Sequence, residues 1–460
     1  MGRKPTEPFR PNSRNSASKP IQFLATTNSS SKKECIFTTQ PLTPFRTLHA
    51  GISRDRFSFE ATANVAWSAD GSKIASLTPT DRFINLWDGM TFEPILPNIN
   101  RQLDNPCPTC SCGPSHPSHS NTTSMLQGRK ALVIFTPDSS KLVTGDERNQ
   151  CLKLWDSTSL EHIHDFASPA DDNIISVASS PDGSVIAGGT FGIYTQIDDD
   201  NDNEQNDVMT NKEDSIDEEE VGEDEEAGED EESDGQQGND KNVTYSWRSS
   251  VYLWKTDTAE CVHVLQGHTG HVLSLAFSID GKFLASGSGD DTVRIWELNT
   301  SSCIKILANH SSCVESLTYS ADGCMLASGS GDGTVCIYDA TAVAYTHIYT
   351  IAVRVNILIS SVQFTPDSCG LIICSGYRCL KICQWESPSM SNVQIWEGEC
   401  PYIESIANSP DNAHFVSGGK DGSVHIWKVP AIEGVAHSKP CLTNSNVNLS
   451  SVNFLISIVD

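Results

Sequence analysis

The chain has 460 residues, of which 38% are hydrophobic and 31 are glycine, a balance suited to a β-rich fold with many turns. No run of 18 apolar residues occurs, so no membrane-spanning helix is expected. The net charge of −28 and the lack of a basic face outside the N-terminal tail speak against direct nucleic-acid binding.

Residues 1–43 read as a disordered basic tail. Their opening, MGRKPTEPFRPNSRNSASKP, contains no apolar core of the kind a secretory signal needs, so a reducing compartment, cytoplasm or nucleus, is expected. Gly2 and Thr6 formally fit an N-acylation pattern, but bulky Arg3 follows the glycine and a second membrane signal is only weakly suggested.

From residue 44 to about 430 the chain repeats itself. Short β-prone runs end in an aromatic residue seven times: FINLW at Trp87, CLKLW at Trp155, SVYLW at Trp254, TVRIW at Trp296, TVCIY at Tyr338, LKICQW at Trp385 and SVHIW at Trp427. From Trp254 onward the intervals are 42, 42, 47 and 42 residues, the period of a four-stranded propeller blade. Each rung is preceded by a tight-turn signal: AWSADG (66–71), FTPDS (135–139), SSPDG (179–183), FSIDG (277–281), YSADG (319–323), FTPDS (364–368) and NSPDN (408–412). Asp followed by Gly, Ser or Asn tolerates the positive φ that short hairpins require. PFRTLHAG (44–51) looks like a fourth strand that would complete the last blade and lock the ring. The expected fold is therefore all-β, a seven-bladed β-propeller over 44–430, and residues 431–460 have no assigned place.

Two intervals are too long, 68 residues before Trp155 and 99 before Trp254, and each holds an insertion. The first, about 98–124, contains CPTCSCGPSHPSH, with Cys107, Cys110, Cys112, His116 and His119. Thiolates and imidazoles at such spacing suit zinc, but no second paired motif accompanies them, so no metal is assigned and the segment reads as a Pro- and Ser-rich loop. Of the sixteen cysteines, Cys151, Cys303, Cys336, Cys374 and Cys383 lie singly in strands, as small hydrophobes do. The second insertion, about 196–246, is acidic. Residues 198–234 include 21 Asp or Glu and one Lys, so most of the net charge sits in one self-repelling, disordered segment. Ser215, in DSIDEEE, lies in an acidic-directed kinase context.

The most complete repeat, GHTGHVLSLAFSIDGKFLASGSGDDTVRIWE (Gly267–Glu297), resembles the WD-repeat (WD40) family, and the resemblance extends over about 385 of the 460 residues. It implies a hydrogen-bonded structural tetrad of His268, Ser286, Asp290 and Trp296. The next repeat offers His310, Ser328 and Asp332 with Tyr338 in the Trp place. The last offers Ser417, Asp421 and Trp427, with Glu399 where the His belongs. The sixth is read with Ser375, with Trp385 as its rung, and with Cys379 in place of the Asp. Asp81 and Asn149 fall in the corresponding turns of the first two. An Asp-His-Ser set could pass for a hydrolase triad, but here it recurs at repeat spacing and its serine lies within a strand.

Enzyme signatures are missing: no GxxxxGK[ST], HExxH or GxSxG occurs, and the Gly-rich ASGSGDGT (327–334) repeats ASGSGDDT (285–292) at the blade interval. No rung is followed by Asp-x-Arg, which lowers a ubiquitin-ligase adaptor in rank. The resemblance implies a non-catalytic protein-interaction scaffold, without cofactor, acting as a monomer within a larger complex. Contacts are expected from Arg129, His271, Tyr377, Arg378, Tyr402 and Lys420, at strand starts and turns on the face the family uses for partners. The alternative is an escort for a basic partner, such as a histone or ribosomal protein, through the acidic segment overhanging that face.

Overall fold

The computed structural model describes residues 39–49, 64–77, 84–95, 132–145, 151–170, 172–197, 244–353, 357–375, 379–386, 391–399, 403–419, 422–430 and 454–457. No helix occurs among them. Two short strands come first, β1 (Thr39–Leu42) and β2 (Arg46–His49). Blade 1 is β3 (Asn64–Trp67), β4 (Lys73–Leu77) and β5 (Ile84–Asp88). Blade 2 is β6 (Leu132–Phe135), β7 (Lys141–Gly145), β8 (Cys151–Asp156) and β9 (His162–Ala167). Blade 3 begins with β10 (Ile174–Ser179) and β11 (Val185–Thr190). A separate ribbon of β12 (Ile193–Ile197) and β13 (Thr244–Arg248) follows, before β14 (Ser250–Lys255) and β15 (Cys261–Gln266) complete the blade. The ribbon belongs to a unit distinct from the one that holds the blades.

Blade 4 is β16 (Val272–Phe277), β17 (Phe283–Ser288), β18 (Val293–Glu297) and β19 (Ser302–Leu307). Blade 5 is β20 (Val314–Tyr319), β21 (Met325–Ser330), β22 (Thr334–Asp339) and β23 (Thr346–Ala352). Blade 6 is β24 (Ile359–Phe364), β25 (Gly370–Ser375), β26 (Cys379–Glu386) and β27 (Ser391–Glu399). Blade 7 is β28 (Ile403–Asn408), β29 (His414–Gly419) and β30 (Ser423–Lys428), with β2 as its antiparallel fourth strand. The N-terminal strand thus closes the ring where PFRTLHAG suggested it. The C-terminal β31 (Phe454–Ser457) begins no further blade; it lies parallel on β23 as an added edge strand, as β1 does on β27.

The hairpin joining the first two strands is built the same way in all seven blades. A Ser or Thr hydroxyl donates to the Asp two residues on: Ser68 to Asp70, Thr136 to Asp138, Ser180 to Asp182, Ser278 to Asp280, Ser320 to Asp322, Thr365 to Asp367 and Ser409 to Asp411. The next residue takes positive φ: Gly71, Ser139, Gly183, Gly281, Gly323, Ser368 and Asn412. Glycine meets that demand without a Cβ clash, while Ser and Asn bear some strain. The carboxylate also accepts the backbone N–H two residues further on, so a five-residue motif satisfies its own turn and fixes the strand register.

The core lies between blades. Seven apolar clusters each join two neighbours, including Leu48, Val65, Trp87, Val416 and Ile426 across the closing seam between blades 7 and 1. Alternation along each strand turns one set of side chains to either neighbour, so no blade can bury its faces alone.

Candidate functional site

Antiparallel strand order puts the loop entering each first strand and the turn between the second and third strands at the same end of the blade. In blade 4 that end carries the tetrad. His268 Nδ1 lies 2.7 Å from Asp290 Oδ2, and Nε2 lies 2.7 Å from Ser286 Oγ. Trp296 Nε1 donates to the same serine oxygen at 2.8 Å. Asp290 also accepts from the Thr269 and Thr292 backbone N–H groups and the Thr292 hydroxyl. Burial would raise the Asp290 carboxyl, but the His268 hydrogen bond and charge outweigh it and hold the group well below the usual carboxylate range. Every polar atom of the set is engaged internally, so its chemistry is that of a brace for the loop and turn.

Blade 5 repeats the arrangement with one defect. His310 bridges Asp332 at 3.1 Å and Ser328 at 2.7 Å, but the buried Tyr338 hydroxyl has no hydrogen-bond partner. Burial opposes the His310 charge, yet the Asp332 hydrogen bond, with help from Cys336, pushes the imidazole up to about 9. Cys336 is itself buried: burial pushes its thiol up, and the His310 hydrogen bond and charge reverse this and draw it down.

The remaining blades keep parts of the network. In blade 7 Trp427 Nε1 donates to Ser417 at 2.9 Å, while Asp421 and Lys420 lie outside the described residues. Blade 2 substitutes Thr144, which accepts from Trp155 at 2.9 Å. Blade 3 has Gly188 in the serine register, and a Cβ there would stand 2.8 Å from the Trp254 ring; the indole donates to the Ala167 carbonyl instead. In blade 1 the matching Ser76 hydroxyl is buried without a partner. Asp81 and Asn149 lie outside the described residues.

Blade 6 differs from its sequence-based alignment. Leu371 pairs with Cys383 as Leu284 pairs with Trp296, so Cys383, not Trp385, occupies the rung. Likewise Ser375 pairs with Ile359 as Ser288 pairs with Val272, which puts Ile373 in the tetrad serine register. Cys379 then opens the third strand, and the Asp place falls within 376–378, outside the described residues. The hairpin sets the register, and an indole two residues further on attracted the alignment away from it.

Among the expected contact residues only His271 is described; Arg129, Tyr377, Arg378, Tyr402 and Lys420 lie outside, as do Cys107, Cys110, Cys112, His116, His119 and the acidic 198–234. His271 stacks on Phe191, ring centroids 3.7 Å apart and planes within 15°, and its Nδ1 accepts the Gly192 N–H at 2.9 Å. Burial lowers its pKa, which favours the neutral ring that this acceptor role needs. Sequence reasoning passed over Phe191 and Leu358, exposed at 36% and 39%. Both immediately flank a strand, Phe191 following β11 and Leu358 preceding β24, and that position was the available signal.

The WD domain, G-beta repeat family matches residues 259–297, 301–339 and 390–428. Each match begins around the outer strand of one blade and ends on the third strand of the next, so the sequence repeat straddles the structural one. The chain is also 46% identical over 44 residues to the Periodic tryptophan protein 2 homolog of Schizosaccharomyces pombe (strain 972 / ATCC 24843), a match covering 10% of this chain and 5% of that protein. The matched repeats, the recurring tetrad and the blades in one register show three WD40-type repeats within a seven-bladed β-propeller.

Proposed function

We propose that the protein is a non-catalytic interaction scaffold of the cytoplasm or nucleus, presenting the end of the propeller that carries the tetrads to other proteins. The stacked Phe191–His271 pair carries this reading: a partly exposed aromatic, held rigid beside the entry to β16, offers contact area at little ordering cost. The substitution Phe191→Ala combined with Leu358→Asp, made in the full chain, is expected to remove co-purifying proteins while leaving thermal stability nearly intact. An unchanged partner set would refute the assignment of this face.

The acidic segment favours a second reading, an escort for a basic protein. A local charge of −20 within 37 residues attracts a cationic partner over a Debye length of about 8 Å at physiological salt. Replacing 198–234 with a neutral linker should abolish partners seen only at low ionic strength. Identical partners with and without the segment, at low and high salt, would dismiss the escort.

A further inference from the structure

The outer strands of the blades differ in what lies beyond them. Among the described residues β9, β15, β19 and β2 end their sheets, whereas β23 and β27, the longest outer strands at seven and nine residues, each carry one strand more. In both cases the added strand is parallel, β31 on β23 and β1 on β27. A sheet edge is a row of unpaired N–H and C=O groups, and charge on an edge strand deters pairing there. β9 has Asp165, β19 has Lys305 and β2 has Arg46, while β15, which has no such charge, ties its His263 to Ser301 of blade 4. β23 reads THIYTIA, β-branched at four of seven positions and without acid, lysine or arginine, a sequence built to pair.

β31 covers only part of that edge. Phe454, Leu455, Ile456 and Ser457 pair with Tyr349, Thr350, Ile351 and Ala352, which leaves Thr346, His347 and Ile348 beyond its register. Thr346 is exposed and His347 and Ile348 are half-buried, so this part of the edge is within reach of another chain. Carried back, the same register would set Ser451, Val452 and Asn453 opposite these three residues, and asparagine is poorly suited to a strand. Four residues of parallel pairing with no further strand beyond them make a weak cover. A strand with β-branched residues in the places of Ser451 and Asn453 can start on 346–348, run the length of β23 and displace β31. Blade 5 keeps its own four strands throughout and the ring closes through β2, so the exchange leaves the propeller intact.

We propose that the outer edge of blade 5 is a strand-docking site, where an extended, uncharged, β-branched segment of a partner protein pairs parallel with β23 in exchange for the chain's own β31. The test uses three fluorescein-labelled peptides with one common solubilising tail, followed by anisotropy: the native SVNFLIS, TVVFLIS with Thr and Val in place of the serine and asparagine, and TVVFPPS. Each is titrated with the full chain and with its Leu455→Pro/Ile456→Pro variant, in which adjacent prolines disable β31 whichever of the two donates to β23. TVVFLIS should bind the unmodified chain at least about tenfold tighter than SVNFLIS, and TVVFPPS should not bind. The variant should take TVVFLIS at least about tenfold tighter again, because apparent affinity scales with the fraction of molecules whose edge is open. In the unmodified chain, bound TVVFLIS should slow amide exchange in β23 and leave β19 unchanged. Equal affinity of TVVFLIS for the two chains, equal binding of TVVFLIS and TVVFPPS, or protection of another outer strand in place of β23 would overturn the proposal. So would a dimer of the unmodified chain that the double proline dissociates, since a second copy would then be the occupant.

Discussion

Trp296 and Tyr338 occupy one register in successive blades and differ in a single polar contact. The indole N–H completes the Ser286 network, whereas the Tyr338 hydroxyl is buried with nothing to bond. Trp296→Phe should therefore cost about 2 kcal/mol or more, since it removes a donor and opens a void. Tyr338→Phe should cost less than about 1 kcal/mol or stabilise, because it deletes an unsatisfied group. Urea unfolding of both variants checks the contrast, and equal losses would contradict it. The two tetrad carboxylates contribute to the loss of stability in acid. Asp290 and Asp332 are held below their ordinary pKa in the fold, so the stability they supply is complete above that ordinary value of 3.8 and is lost as pH falls toward the folded values. After allowance for solvent screening this amounts to about 1–2 kcal/mol each. Asp290→Asn and Asp332→Asn should lower stability at pH 7 and flatten its decline below pH 4, as a denaturant midpoint measured against pH would show.

The element that closes the ring, β2, is four residues long, and beyond its pairing with β30 two of its side chains differ in how they hold it. Arg46 pairs with Glu93 at 2.7 Å, but the side chains are 39% and 64% exposed, and such pairs contribute about 0–1 kcal/mol. Leu48, 5% exposed, enters the apolar cluster of the closing seam. Leu48→Ala should cost about 2–5 kcal/mol and Arg46→Ala under about 1, so thermal denaturation should rank Leu48 far ahead. Much at this scale was legible in the sequence, because the seven Asp turns are local: each satisfies its own backbone, and its residues stand together in the chain. β2 was legible too, through its own strand pattern and the blade count. What escaped depended on pairing across strands. Cys383 shows no rung by residue type, and only its pairing with Leu371 reveals one; Gly188 looks like a strand glycine until Trp254 is found filling its space.

Over the whole molecule the internal networks are uneven. Blade 4 has a complete tetrad and blade 5 lacks only the last donor, whereas blade 6 has Ile373 and Cys383 in the registers of serine and tryptophan and relies on apolar packing. Blade 1 has three strands among the described residues, and beyond β5 its outer edge consists of the Trp87–Pro94 bridge and hydrogen bonds to Glu93 and Ile95. In a ring whose blades bury their faces only against neighbours, local opening starts where the fewest strand pairs must break. Among the described residues the seam between blades 7 and 1 meets that description, since the four-residue β2 closes one side and the described edge beyond β5 has few pairs. Strands β17 and β18, paired on both sides, stand at the opposite extreme. Native-state amide exchange should therefore find β2 and β5 exchanging at least about tenfold faster than β17 and β18, the ratio that a difference of about 1.4 kcal/mol in opening free energy gives. Leu48→Ala should accelerate exchange in β2 and β5 while leaving β17 and β18 almost unchanged, unless the ring opens only as a whole. Uniform protection around all seven blades, with the variant speeding every strand equally, would show a single cooperative unit and refute a weak closing seam.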